Sequence, residues 1–401
     1  VIEFELTPKM KTMRDMVHMF AETYVRPYAI QADQEGKAPE PFLEACKKFG
    51  LGLGSMDERA EEDGAGKDPK KESSGNRMSM IASEEMAWGD PAVILNLPGP
   101  GLGGPPVKFT GTEEQKKRFF GMFSKDTIKY GAYALTEPGA GSDAANISTT
   151  CRKDGNHYVL NGSKFFITNG KKAEWTVVFA TMDKALGRAG HRAFVVERDT
   201  PGFRVPKLEK KMGLRASETA EQVFEDCRVP VENLLGGESY YEEKGKEGFK
   251  TAMKTFDATR PMVAVMAVGI ARACFEIARD WVKQTFALAQ HTPRFRRVSE
   301  DLAWMEREIQ AARLLCWRAA WLLDLKKPNS KESSMAKAYA GGMVQRVSAK
   351  AIEILGPEGV LANNLVEKLY RDQKVYDIFE GTGQVQRVVI SRRIFEGYSS
   401  S

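Results

Sequence analysis

The sequence is poor in the groups that usually announce a disulfide scaffold or a metal centre: its 401 residues hold five cysteines and four histidines. Cys46, Cys151, Cys227, Cys274 and Cys316 are odd in number, scattered and without CxxC spacing, which favours a reducing compartment over a disulfide framework. His18, His157, His191 and His291 show neither HExxH nor close pairing with cysteine, so no metal site is expected. Neither sign of charge dominates, with 59 Lys and Arg against 54 Asp and Glu. The basic clusters Lys210-Lys211 and Arg294 to Arg297 are short and lack interleaved aromatics, so no nucleic-acid partner is expected. No run reaches the ~18 consecutive apolar residues of a membrane span. The nearest approach, Met262 to Ala278, is broken by Arg272 and Glu276 and reads as a buried helix rather than an integral membrane segment.

What is present suffices for a large core. Hydrophobic residues make up 42% and charged residues 28%, which excludes a disordered or collagen-like chain, and the length allows two or three domains. From about residue 7 to 125 apolar positions such as Met10, Met13, Met16, Val17 and Phe20 recur at helical spacing. Two stretches interrupt them and read as loops, the polar Asp57 to Ser74 and the glycine and proline run Pro98 to Pro106. Near residue 130 the texture changes to short β-branched and aromatic runs. His157 to Leu160 precedes Asn161-Gly162, and Lys164 to Thr168 precedes Asn169-Gly170, which predicts strands joined by tight turns. Trp175 to Thr181, Ala193 to Glu197 and Gln222 to Glu225 continue the pattern. After about residue 240 helical periodicity returns over 262–279, 299–325 and 334–355, with apolar faces wide enough to pack as a bundle. The predicted class is α+β, mostly α: a helical N-terminal domain over 1–127, a central β-barrel or sandwich over 128–240, and a C-terminal four-helix bundle over 241–401.

Chemistry concentrates in four segments. A strand runs into the glycine-rich turn Tyr133-Ala134-Leu135-Thr136-Glu137-Pro138-Gly139-Ala140-Gly141-Ser142-Asp143, whose exposed amides and hydroxyls suit an electron-poor ring or a phosphate. Taken alone this is an ordinary loop; the order of its residues matters more than its glycines. Asn161 to Gly170 follows, then Gly213-Leu214-Arg215-Ala216-Ser217 with Val223 to Pro230. Last come Tyr370-Arg371-Asp372 and Ile378-Phe379-Glu380-Gly381-Thr382-Gly383-Gln384. In this order and spacing, across nearly the whole chain, the four segments closely resemble the signatures of the acyl-CoA dehydrogenase family.

The resemblance implies bound FAD, an acyl-CoA substrate and α,β-dehydrogenation of the thioester to a 2-enoyl-CoA. It also implies a homotetramer that passes electrons to an electron-transfer flavoprotein. The expected location is the cytoplasm for a bacterial chain, or the mitochondrial matrix for a processed eukaryotic one; Val1 to Leu6 carry no leader, as either would allow. Glu380 matches the family's base in EGTxQ. Some members place that base where this chain has Thr259, which cannot serve as a carboxylate. By the same matching, Tyr133, Leu135, Thr136, Gly141, Ser142, Phe166, Ile167 and Thr168 contact the flavin. Thr382 and Gln384 bind its diphosphate side. Ser142, Asp257, Arg260, Gly381 and Arg392 contact the CoA substrate.

Several positions depart from the pattern. Phe166 stands where many relatives have tryptophan, which keeps a stacking face without the indole donor. Lys283-Gln284-Thr285-Phe286-Ala287 replaces Arg-x-Thr-Phe-Gly in the FAD-gripping segment, so the charge remains without the bidentate fork. Glu353, Gly356 and Pro357 replace a glutamine and a glycine pair near the later FAD segment; the acid suits that place only if it points away or meets an amide. Residues 95–106 match part of the acyl-pocket wall, where small residues either open space or let a folded-in loop fill it. The stretches 57–74 and 287–297 read as exposed loops. Two alternatives accompany the dehydrogenase reading: an acyl-CoA oxidase using dioxygen, and a catalytically silent acyl-CoA-binding subunit.

Overall fold

A computed structural model describes residues 2–52, 73–123, 127–244 and 247–396. Most of the expected loop 57–74 therefore lies outside the described residues. The N-terminal helices are α1 (Pro8–Tyr24), α2 (Ala29–Glu35), α3 (Glu40–Phe49), α4 (Gly75–Gly89), α5 (Pro91–Ile94), α6 (Gly104–Thr110) and α7 (Glu113–Phe120). Local sequence explains several boundaries. The Thr7 hydroxyl accepts from Met10 N to cap α1, Asp90 caps α5, and Thr112 with Gln115 closes a capping box on α7. The expected loop Pro98 to Pro106 is partly helical. Prolines 105 and 106 fall in the first turn of α6, where a missing N–H costs nothing.

Seven strands follow: β1 (Tyr130–Ala134), β2 (Thr150–Asp154), β3 (His157–Thr168), β4 (Ala173–Thr181), β5 (His191–Glu197), β6 (Phe203–Leu208) and β7 (Thr219–Pro230). They form one curled sheet in the order β1-β4-β2-β3-β7-β6, with β5 pairing antiparallel to β4. The turn expected at Asn161-Gly162 is not a turn. β3 runs straight through it, paired with β7 throughout and broken only by register shifts at Leu160/Gly162 and Lys164/Ile167. Gly162 is required because its φ is 149° and a Cβ there would lie 2.7 Å from the Thr149 Cα. Asn169-Gly170 is the turn that ends the strand, with Gly170 N donating to Ile167 O.

The chain then returns to helix: α8 (Gly237–Lys244), α9 (Glu247–Thr285), α10 (Pro293–Asp324), α11 (Ser330–Leu355), α12 (Leu365–Asp372) and α13 (Gly383–Phe395). α9 begins well before the predicted stretch and passes through Pro261. α10 begins at Pro293, capped by the Thr292 hydroxyl, so much of the expected loop 287–297 is the first turn of a helix. By length and composition Thr259–Thr285 could cross a membrane, yet 72% of its apolar window is buried inside the protein. It is the central rod of a core shared by α1, α4, α9, α10 and α11. All five cysteines are buried and unpaired.

Candidate active site

The site forms where α9, α11 and the turn before α13 meet the end of β1. Glu380 leaves the backbone at φ 53° and Gly381 follows at φ 95°. The left-handed region is unfavourable for glutamate, so its surroundings must hold it there. Three side chains do so. Lys337 Nζ donates to Gly381 O at 2.6 Å, and Gln386 Nε2 donates to the same carbonyl at 2.9 Å. Arg260 Nε approaches Glu380 O at 3.4 Å. The Glu380 N–H has no acceptor among the described residues.

The Glu380 carboxylate accepts a hydrogen bond from the Thr259 hydroxyl at 2.7 Å. Burial raises its pKa above the ordinary carboxylate value, opposed by the Thr259 hydroxyl and by the charges of Arg260 and Lys337. Arg260 is itself buried and pairs with Asp257 at 2.8 Å, while burial raises the Asp257 carboxyl. Thr259 therefore holds the carboxylate rather than replacing it. Thr259→Val removes a bond to the ionised form and should raise the Glu380 midpoint, cutting the ionised fraction on its acidic limb by about tenfold. Infrared titration of the carboxyl band checks this.

A second cluster holds the turn after β1. Lys164, fully buried, lies 2.7 Å from Glu137 Oε1 and donates to Leu135 O at 3.1 Å. Burial opposes the Glu137 charge, but Lys164 and the Ser148 and Thr149 amides hold its pKa below the ordinary value. The turn after β1 is thus pinned to β3, and Phe165 N adds a bond to Thr136 O at 2.9 Å. At the adjoining bulge Phe166 takes φ 59° and presents its ring outward, 65% exposed. Tyr133 Oη is buried without a hydrogen-bond partner, and its ring meets Phe256 of α9 at 5.8 Å.

Glu380, Gly381, Asp257, Arg260 and Tyr133 are brought together; Leu135 and Thr136 lie in the turn after β1, bonded to the end of β3 that carries Phe166, Ile167 and Thr168. Ile167 is buried, whereas Gly141 and Ser142 are exposed on their turn. Thr382 caps α13 through Val385 N, and Gln384 and Arg392 are exposed on that helix. Lys283, Thr285 and Phe286 are not near Glu380 along the rod: 23 helical steps separate Arg260 from Lys283, roughly 35 Å. Lys283 and Thr285 are exposed, but Phe286 is a core residue, packed on Trp281 and Phe295. Glu353 is exposed and takes a 2.6 Å bond from Lys350, and Gly356 ends α11 at φ 63°. Sequence reading missed Lys337 and Lys164. The available signal for Lys337 was a lysine on the helical stripe of Ser333, Ala336, Ala340 and Val344, where every neighbour is buried.

Comparison with known proteins agrees with this arrangement. Residues 7–125, 132–227 and 246–395 match the N-terminal, middle and C-terminal domains of acyl-CoA dehydrogenase, respectively. The chain belongs to the acyl-CoA dehydrogenase family. This makes it an oxidoreductase of the flavoprotein class. It is 40% identical over 399 residues to the mitochondrial short-chain specific acyl-CoA dehydrogenase of Rattus norvegicus, covering 99% of this chain and 92% of that one. It is 38% identical over 398 residues to the short-chain specific enzyme of Clostridium acetobutylicum, covering 98% and 100%. Among solved structures, butyryl-CoA dehydrogenase from Megasphaera elsdenii superposes with a TM-score of 0.87 at 34% identity, covering 98% and 100%. The residues present fit the family's flavin: an outward aromatic face at Phe166, a partnerless buried hydroxyl at Tyr133, and open space beside Gly139 and Gly141.

Proposed function

We propose that this enzyme dehydrogenates a short-chain acyl-CoA thioester to the 2-enoyl-CoA, with Glu380 as the base. The observation that carries the reading is the half-buried Glu380 carboxylate, held by Thr259 beside its own uncommitted N–H. When bound, FAD supplies the hydride acceptor that no side chain provides. Leu135, Thr136, Ser142, Phe166 and Thr168 would hold it from the sheet, with Thr382 and Gln384 beside its diphosphate.

The remaining steps belong to the protein. The Glu380 N–H donates to the thioester oxygen, which strengthens as a partner when enolate charge develops. The Glu380 carboxylate takes the α proton, and exclusion of water by the acyl chain strengthens it as a base. Arg260 pairs with Asp257 and opposes the burial that raises its carboxyl, where the substrate's polar arm would enter. A short acyl group is supported by the small-residue loop at 95–106, which folds in rather than leaving space. Gly99 N donates to Lys129 O at 2.8 Å, and a Cβ on Gly103 would lie 2.5 Å from Ala132 O and 2.6 Å from the Trp175 ring. The distance of Lys283 and Thr285 from Glu380 supports a homotetramer in which that end of α9 serves a neighbour's site. An electron-transfer flavoprotein is the proposed acceptor. The setting is bacterial cytoplasm or mitochondrial matrix.

Anaerobic addition of linear, branched, cyclic and aromatic acyl-CoA thioesters to the FAD-loaded enzyme tests the proposal. Short linear chains are expected to bleach the flavin fastest. No bleaching across the panel overturns the dehydrogenase reading, and faster bleaching by long or aromatic chains overturns the short-chain assignment.

A further inference from the structure

Lys337 is completely buried on α11, beneath the turn that carries Glu380. Its ammonium donates to Gly381 O at 2.6 Å, one residue from the carboxylate's own backbone. Such a group is costly to bury, because a lysine side chain loses both hydration and rotamer freedom. Among the described residues no carboxylate takes an ion pair from it: its bond goes to a carbonyl that Gln386 already reaches at 2.9 Å. The carbonyl's need for a donor therefore does not account for the lysine. We propose that Lys337 is a positioning residue for Glu380, gripping the Gly381 carbonyl so that the strained turn aims the carboxylate at the substrate's α carbon. This rests on the reading of Glu380 as the base.

The groups facing Glu380 assign the lysine a second contribution. Thr259 and Arg260 approach from α9, Lys337 from α11, Tyr133 from β1, and Tyr376 from the turn preceding Glu380. Asp377 on that same turn faces Lys337, and Asp257 neutralises Arg260. Arg260 is thus already engaged, whereas among the described residues no carboxylate is hydrogen-bonded to Lys337. Burial lowers the Lys337 pKa to about 8, as does the neighbouring Arg260 charge, while Asp377 and Glu380 oppose the fall. Its charge favours the ionised carboxylate against the burial that opposes it.

The test compares Lys337→Met, Lys337→Arg and Glu380→Gln in the FAD-loaded enzyme. Two quantities are read: the pH dependence of anaerobic flavin reduction, and the substrate-free infrared titration of the carboxyl band that Glu380→Gln removes. Lys337→Met is expected to raise the Glu380 midpoint in both readouts and to slow reduction about tenfold even on the alkaline plateau, where ionisation is complete. Lys337→Arg keeps the charge but changes the grip, so its midpoint should stay near wild type while the plateau rate falls. Flavin content should be unchanged in all three. If Lys337→Met does not fold, Lys337→Gln tests the charge by itself: it keeps a donor, so its midpoint should rise as in the methionine variant while the plateau rate falls less. Wild-type midpoint and plateau rate in the uncharged variant overturn the role of Lys337. Undiminished flavin reduction in Glu380→Gln instead overturns the base assignment, so the two failures are distinct.

Discussion

Glu380→Gln is expected to slow anaerobic flavin reduction by about 10³-fold or more while leaving flavin content and acyl-CoA binding close to wild type. The amide is nearly isosteric, and its oxygen can still accept from the Thr259 hydroxyl that now holds the carboxylate at 2.7 Å. The grips on the following carbonyl by Lys337 and Gln386 are backbone contacts and do not depend on the side chain. What is lost is the capacity to take a proton, so the defect lies in kcat rather than in KM. In the wild type the pH dependence has a definite sign. Because burial raises the Glu380 pKa, reduction should increase with pH through a midpoint above the ordinary carboxylate range. Stopped-flow reduction against pH measures both effects.

Lys368→Met is expected to be the most destabilising single change of charge. Lys368 is 1% exposed and sits between Asp90 and Asp372, both fully buried, with Asp372 Oδ2 at 2.6 Å. Its neighbours have further duties: Asp90 caps α5 through Ala92 N and Val93 N, each at 2.8 Å, and Asp372 accepts from Leu214 N at 2.6 Å. Burial, partly countered by Lys368, already raises the Asp372 carboxyl to about 6, with Asp90 adding to the rise. Removing the lysine leaves two carboxylates facing each other away from water, a loss of about 3–5 kcal/mol. A thermal midpoint lower by about 4–6 °C would register it. Lys350→Met, which removes a half-buried partner of the exposed Glu353, should by contrast change stability by less than about 1 kcal/mol.

Particular residues show why some features were legible in the sequence and others were not. The order helices, sheet, helices followed from periodicity, because the spacing of apolar residues is the physical cause of which face is buried. Asn161-Gly162 misled because the same dipeptide that permits a turn also permits a bulge. The choice was made by Thr149, a residue 13 positions away that occupies the space of a Cβ on Gly162. Thr259 is read from sequence only as a failed base, and its role as the partner of Glu380 depends on a contact between residues 121 positions apart. Sequence reading passes over Lys337 because its partner, the Gly381 carbonyl, lies 44 positions further along the chain.

The core common to α1, α4, α9, α10 and α11 bears on how the polypeptide is made. Glu84 and Glu85 of α4 bind Arg272 of α9, and Glu84 also binds Arg313 of α10. The first helices to leave the ribosome therefore wait for residues synthesised nearly two hundred positions later before their apolar faces and carboxylates are covered. The intervening sheet can pair its strands in the meantime. Nascent chains stalled before α9 should be the ones that recruit chaperones, whereas those stalled after α11 should not.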